Sequence, residues 1–270
     1  MLSRGSFQIA TLALVFCTAA FGDDWPQWLG PKRDGVWRET GIIENFPEGG
    51  PKILWRVSVG AGFSGPAVAD GRVFLTDRQL QSGTKGQGDP FNRARIDGIE
   101  QVLCLRESDG KEIWSHAYDC PYSISYASGP RATPLVDAGK VFTLGAEGNL
   151  FCFDGENGKQ VWSVDFKEKY KIPTPLWGFS AHPLLDGDKL ICLAGGSGST
   201  VVAFEKETGK ELWRALSTKE PGYCPPMIYE AQGKRQLIVW TPEGLNSLNP
   251  ATGEVYWNDR FGTQAALTIP

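Results

Sequence analysis

Apolar residues fall in short runs along this chain, each bounded by Gly, Pro, Asp or Asn and none showing sustained helical periodicity. Four times the same pattern recurs: an apolar run, a polar turn, then Gly-Lys or Gly-Glu leading into a second run that ends on Trp. The copies are Val102-Leu-Cys-Leu-Arg-Glu-Ser-Asp-Gly-Lys-Glu-Ile-Trp114, Leu150-Phe-Cys-Phe-Asp-Gly-Glu-Asn-Gly-Lys-Gln-Val-Trp162, Val201-Val-Ala-Phe-Glu-Lys-Glu-Thr-Gly-Lys-Glu-Leu-Trp213 and Leu245-Asn-Ser-Leu-Asn-Pro-Ala-Thr-Gly-Glu-Val-Tyr-Trp257. Each reads as a β-hairpin, with Gly110, Gly158, Gly209 and Gly253 supplying the positive φ of the turn. The pairs Ile113/Trp114 and Val161/Trp162 predict an outer strand packed on both faces.

A second element precedes each copy: Gly65-Pro-Ala-Val-Ala-Asp-Gly71, Thr133-Pro-Leu-Val-Asp-Ala-Gly139, His182-Pro-Leu-Leu-Asp-Gly-Asp188 and Pro225-Pro-Met-Ile-Tyr-Glu-Ala231. Another apolar strand follows, such as Val141-Phe-Thr-Leu or Leu190-Ile-Cys-Leu. Each unit therefore holds four short strands. The fold class this predicts is all-β: a β-propeller of four-stranded antiparallel blades. Trp55, in Lys52-Ile-Leu-Trp-Arg-Val, has the outer-strand Trp without the strands before it. Ala266-Leu-Thr-Ile-Pro270 matches the opening of a further blade. The expectation is four complete blades and the start of another, an incomplete propeller whose closure would pair the two chain ends; a small ring closed by Trp55 is the alternative.

Composition adds an address. The 270 residues open with Arg4, an apolar stretch from Phe7 to Phe21, and Ala20-Phe21-Gly22 before Asp23, which is the layout of a signal peptide over residues 1–22. Cys17 follows bulky Val15 and Phe16, against a lipoprotein reading. No second run of spanning length follows, so the chain after cleavage is expected to be periplasmic or secreted, with residues 23–50 a lead-in and 51–270 the propeller domain. The net charge of −4 with scattered basic residues excludes a nucleic-acid footprint. Five Cys remain after residue 22: Cys104, Cys120, Cys152, Cys192 and Cys224. The odd number leaves at least one thiol unpaired unless it bridges to another chain, their pairing stays open, and the lack of CxxC excludes a zinc ribbon.

The Gly-Lys-x-x-Trp turn resembles the tryptophan-docking repeat of quinoprotein-like propellers, which include PQQ-dependent alcohol dehydrogenases and BamB-like outer-membrane assembly factors. Asp24-Trp-Pro-Gln-Trp-Leu-Gly-Pro-Lys-Arg-Asp-Gly35 looks like the lead-in of exported PQQ-like propellers of planctomycete-type bacteria. The resemblance implies that Trp55, Trp114, Trp162, Trp213 and Trp257 dock against the glycine region of a neighbouring blade. It also implies what a quinone enzyme would need: a vicinal Cys pair, a Trp floor, and Ca²⁺ held by Glu, Asn and Asp. No two Cys are adjacent here, and no loop has the spacing of a Ca²⁺ cage. No cofactor and no metal are therefore expected, PQQ with Ca²⁺ belonging only to the alternative of an alcohol or sugar dehydrogenase completed by further blades.

Ordinary catalytic patterns are also missing. There is no Gly-x-Ser-x-Gly elbow, and His116, on an outermost strand, is expected to be solvated. Candidate chemistry lies where the repeats differ. Loops entering the innermost strands form the mouth of a propeller channel, and they carry Tyr126, Arg131, Trp177, His182 and Tyr223. These aromatics with one Arg and one His predict a site for a small molecule or a protein partner, with no catalytic residue assigned. The insertion from Arg78 to Glu100 either reaches over that mouth or forms a surface hairpin.

Overall fold

The computed structural model describes residues 22–260. The expected signal peptide, except for Gly22, and the Ala266–Pro270 segment expected to open a further blade lie outside the described residues. Sixteen strands form four antiparallel meanders. The first holds β1 (Ala67–Ala69), β2 (Arg72–Leu80), β3 (Gly98–Arg106) and β4 (Glu112–Asp119). The second holds β5 (Leu135–Asp137), β6 (Lys140–Leu144), β7 (Asn149–Asp154) and β8 (Gln160–Asp165), followed by a short helix, α1 (Phe166–Tyr170). The third is β9 (Leu184–Asp186), β10 (Lys189–Leu193), β11 (Val201–Glu205) and β12 (Glu211–Ala215). The fourth is β13 (Met227–Ala231), β14 (Lys234–Thr241), β15 (Gly244–Leu248) and β16 (Val255–Asp259). The architecture is that of an incomplete β-propeller.

The core lies between sheets. Leu150 and Cys152 of β7 face Leu190, Cys192 and Phe204 of the third sheet, whereas Phe151 and Phe153 of the same strand face Phe74 and Cys104 of the first. A middle strand is thus buried on both faces, which is why the runs are continuously apolar. Leu193 and Val201 meet Leu237 and Val239 in a third inter-sheet cluster. The five thiols among the described residues are buried and free.

The repeated turn has one mechanism. The residue before each turn glycine, Asp109, Asn157, Thr208 or Thr252, accepts the N–H two residues on, at 2.9–3.3 Å. The glycine N–H donates to the carbonyl four residues back, as Gly158 does to Asp154 at 2.9 Å. The required side-chain acceptor explains why Asp, Asn and Thr precede Gly. Register then slips at the same place in every sheet: Cys104 faces Trp114 but Leu105 faces Glu112, and the same skip leaves out Val161, Leu212 and Tyr256. The bulge turns Trp114, Trp162 and Trp213 toward the next sheet. It also corrects the two-faced expectation for the outer strand, because Ile113, Val161 and Leu212 face solvent.

The indoles of Trp55, Trp114, Trp162 and Trp213 lie against Gly110, Gly158, Gly209 and Gly253 of the sheet that follows each. Trp55, Trp114 and Trp162 donate Nε1–H to the carbonyls of Glu107, Gly155 and Lys206, each three residues before the facing glycine. Burying an indole this way contributes at most about 4–6 kcal/mol of transfer free energy. Trp257 lies in the last described sheet, so its expected docking falls outside the described residues. It donates to Gln236 of its own sheet and remains 42% exposed.

The lead-in crosses the entry side of all four sheets. Trp25 pairs antiparallel with Val68 of β1, and the Pro26 carbonyl accepts from Val136 N of β5 at 2.8 Å. Trp28 stacks on His182 at 4.8 Å between ring centroids, 10° from parallel. The buried Arg33 guanidinium donates to the carbonyls of Pro183 (2.9 Å) and Pro226 (3.3 Å), ahead of β9 and β13. His182 Nδ1 in turn accepts from Thr133 N at 2.9 Å, so the imidazole must be neutral at that nitrogen.

Two predictions follow from this packing. Gly187 and Gly158 both have positive φ, but a Cβ at Gly187 meets nothing within 4 Å, whereas at Gly158 it meets Trp114 Cδ2 at 2.6 Å. Gly187→Ala is expected to cost about 1–2 kcal/mol from backbone strain, and Gly158→Ala about 3 kcal/mol or more from strain plus overpacking. Equal midpoint shifts in urea unfolding would refute the docking contribution. For His182, burial and the neighbouring Arg33 hold the pKa at about 3 against an ordinary 6.5. The unfolded chain therefore takes up a proton near pH 6.5 that the folded chain refuses until about pH 3. The contribution of His182 is complete above pH 6.5 and is lost as pH falls through that window. His182→Asn, which keeps an acceptor but cannot titrate, should be less stable at pH 7, with the gap to wild type narrowing toward pH 4. A gap independent of pH would overturn this.

Candidate functional site

The loops leading into the first strands carry side chains that the repeat does not specify. Phe63, Tyr126, Arg131, Trp177, Ser180 and Tyr223, from the loops before β1, β5, β9 and β13, line one cavity of about 250 Å³. Four of the five residues expected at the mouth are therefore together. His182 is apart: its ring is engaged by Trp28 and Thr133, and it does not line this cavity. Phe63 and Ser180 were not singled out from the sequence. Phe63 sits in a Gly-rich stretch, Gly60-Ala-Gly-Phe-Ser-Gly65, and its 55% exposure is the signal that a sequence does not carry.

Trp177 and Tyr223 form one wall. Their ring centroids are 5.1 Å apart at 59°, and Trp177 N donates to Tyr223 Oη at 3.3 Å. Burial, with a smaller contribution from the hydrogen-bonded Glu220 carboxylate, pushes the Tyr223 phenol up to about 12, so it is neutral at physiological pH. Tyr126 adopts a left-handed conformation, φ 54°, which is unusual for a bulky residue. Its N–H donates to the Pro90 carbonyl at 2.8 Å, and Phe91 meets its ring edge-on at 5.5 Å.

Pro90 and Phe91 belong to the insertion, which is narrower than expected. Arg78–Leu80 and Gly98–Glu100 continue β2 and β3, leaving residues 81–97 as the irregular part. That part lies along the loop that carries Tyr126. Gln87 bridges Ile124 O and Ala127 N at 3.1 and 2.7 Å, and Arg93 Nε donates to Ser123 O at 3.0 Å.

Arg131 presents its flat face rather than its donors. Nη2 donates to the carbonyls of Ser125 (3.0 Å) and Tyr126 (2.6 Å), and Nη1 to that of Gly129. The guanidinium carbon lies 5.3 Å from the Phe63 ring centre, and burial lowers its pKa. An anionic ligand would thus compete with three backbone carbonyls for the same protons.

Beneath the cavity lies a buried polar network. Glu100 accepts from the hydroxyls of Tyr118 and Tyr122 and from Ala146 N at 2.9 Å. Burial raises its pKa, partly offset by these donors. Arg78 lies 4.0 Å over the Tyr122 ring and donates to the carbonyls of Ile96 (2.7 Å) and Ala127 (3.2 Å). Its sequence trace was a charge inside a strand run. His116, expected to be solvated, is half-buried, 4.8 Å from the Phe153 ring, and burial lowers its pKa.

Among the described residues no three His, Cys, Asp or Glu side chains converge as a metal cage would require. No helix among them is long and apolar enough to cross a membrane.

Known proteins share this architecture. The chain is 31% identical over 170 residues to the quinohemoprotein alcohol dehydrogenase ADH-IIG of Pseudomonas putida, covering 60% of this chain and 20% of that protein. It is 24% identical over 212 residues to the quinoprotein alcohol dehydrogenase PedH of Pseudomonas putida, covering 73% of this chain and 33% of the relative. The chain thus spans a fifth to a third of the length of these curated relatives. The crystal structure of quinohemoprotein alcohol dehydrogenase from Comamonas testosteroni superposes with a TM-score of 0.52 at 15% identity, over 89% of this chain and 49% of that one, a likeness of fold. The model of the PQQ-like repeat family described as outer membrane protein assembly factor BamB matches residues 98–268. With four meander sheets that each contain the same turn and a match over more than half of its length, this chain belongs to that family of PQQ-like propeller proteins.

Proposed function

We infer that this chain is part of an exported propeller scaffold that holds a protein or small-molecule partner at the aromatic mouth of its channel face. One observation carries the reading: loops of all four sheets converge Phe63, Tyr126, Trp177 and Tyr223 on one cavity, and the lining set contains no carboxylate, His or Cys. Ser180, its hydroxyl nucleophile, has no base among the other lining residues. Such a cavity suits binding of apolar or aromatic groups. With Arg131 committed to backbone carbonyls, neutral groups fit better than anionic ones. The family description, an assembly factor, supports a protein as the partner. The segment over residues 1–22 supports the exported address.

The second reading is a PQQ-dependent oxidoreductase whose site is completed by further blades. Its support is the 31% identity to ADH-IIG. The described residues of this chain do not by themselves fit the group: they offer no adjacent Cys pair and no convergent ligand set for Ca²⁺.

Capture of partners from an envelope extract by the full chain tests the first reading. Trp177→Ala and Tyr126→Ala are each expected to reduce capture of the specific partner by about 30-fold, the loss typical of a central aromatic anchor, with the melting temperature unchanged within a few degrees. Unchanged capture by the double variant would refute it. Reconstitution with PQQ and Ca²⁺ separates the readings: the scaffold shows neither quinone absorbance nor dye-linked alcohol oxidation, and the appearance of both would establish the enzyme.

A further inference from the structure

The lead-in from Trp25 to Arg33 is attached to the same loops that build the cavity. Thr133, whose N–H is accepted by His182, lies two residues after Arg131. His182 lies two residues after Ser180 and five after Trp177, and Pro226 lies three after Tyr223. Arg33 joins the last two loops by donating to the carbonyls of Pro183 and Pro226 at once, and Gln27 Oε1 accepts from it at 3.3 Å. Its guanidinium also lies 5.2 Å from the centre of the Trp28 ring, which covers His182.

Arg33 is only 6% exposed, and its Nε has no partner. Burial lowers its pKa to about 10, so it stays charged at neutral pH. Removing a guanidinium from water is costly unless its geometry is held closely. A hydrophobic residue would fill the space more cheaply. The feature that a hydrophobic residue cannot reproduce is the fork, which holds two carbonyls of two different loops at a set separation. The chain between these anchors and the cavity is short, and Pro183, Pro225 and Pro226 restrict φ within it. Few soft dihedrals remain to absorb a displacement.

We propose that Trp28, Arg33 and His182 are positioning residues that set the spacing of the loops carrying Arg131, Trp177 and Tyr223, so that the N-terminal lead-in determines the shape of the mouth cavity. The inference rests on the reading of that cavity as the binding site, but its test needs no ligand.

The chain has ten Trp, so the full protein labelled with 5-fluorotryptophan reports several places at once in ¹⁹F NMR. Signals of Trp28, Trp114, Trp162 and Trp177 are assigned by single Trp→Phe variants. In Arg33→Met the Trp177 signal should shift and broaden, while Trp114 and Trp162, clamped between sheets, stay in place. Arg33→Lys, which keeps the charge but not the fork, should give an intermediate Trp177 shift. Trp28→Phe is the milder variant should Arg33→Met fail to fold, and it should move Trp177 in the same direction. The proposal is overturned if Trp177 is unmoved when Arg33 or Trp28 is replaced. It is equally overturned if Trp114 and Trp162 move as far as Trp177, since the lead-in would then only add general stability. A Trp177 shift alongside unchanged partner capture by Trp177→Ala would sustain the positioning role and refute the binding reading.

Discussion

The contact of an indole with a glycine turn is the constraint on which the rest of this molecule depends. A four-stranded meander has two apolar faces and cannot stand alone in water. Each sheet therefore needs a neighbour at a set distance and angle. The bulge before the outer-strand Trp turns its ring toward the next sheet, and the missing Cβ of Gly158 or Gly209 leaves the space that the ring fills. The Nε1–H bond to a carbonyl three residues before that glycine then fixes the ring in its plane. Sequence signature, hairpin geometry and inter-sheet spacing are one arrangement seen at three scales.

With the sheets placed, the entry loops come together without further instruction from the repeat. Loops before β1, β5, β9 and β13 lie side by side because the first strands do. The lead-in exploits this by crossing all four, with backbone pairing at Val68 and Val136, a ring stack at His182 and the Arg33 fork at Pro183 and Pro226. Part of the channel entry is thus filled by the chain's own N-terminal segment, and the aromatic cavity is the portion beside it that stays open.

The polar groups under that cavity explain why it is a shape rather than a reagent. Glu100 is saturated by two tyrosine hydroxyls and an amide, and Arg78 and Arg131 point their donors at backbone carbonyls. Glu147 is engaged in the same way by Ser123 N, at 3.1 Å, and Lys167, at 2.6 Å. Apart from the Arg78 Nε, which has no partner, these buried charges are spent on bracing loops and have little capacity left for a ligand. What faces the solvent is carbon-rich: ring faces and the plane of a guanidinium.

The sequence by itself determined the blade, the sheet order within it and the hairpin turns, because these depend on residues within a few positions of one another. Asp, Asn or Thr before Gly makes a local bond, and an apolar run buried on both faces is visible as an uninterrupted run. Four of the cavity residues were also legible, since entry loops are adjacent in any propeller. Tertiary structure decided the rest. His182 looked like a member of the mouth, but Trp28, 154 positions earlier, covers it and Thr133 uses its free nitrogen. Ile113 and Val161 looked internal until a one-residue bulge turned them to solvent. The contacts that decide His182 come from elements distant in the chain, and the bulge is a register slip within one hairpin; periodicity along a sequence contains neither a distance across space nor a slip of register.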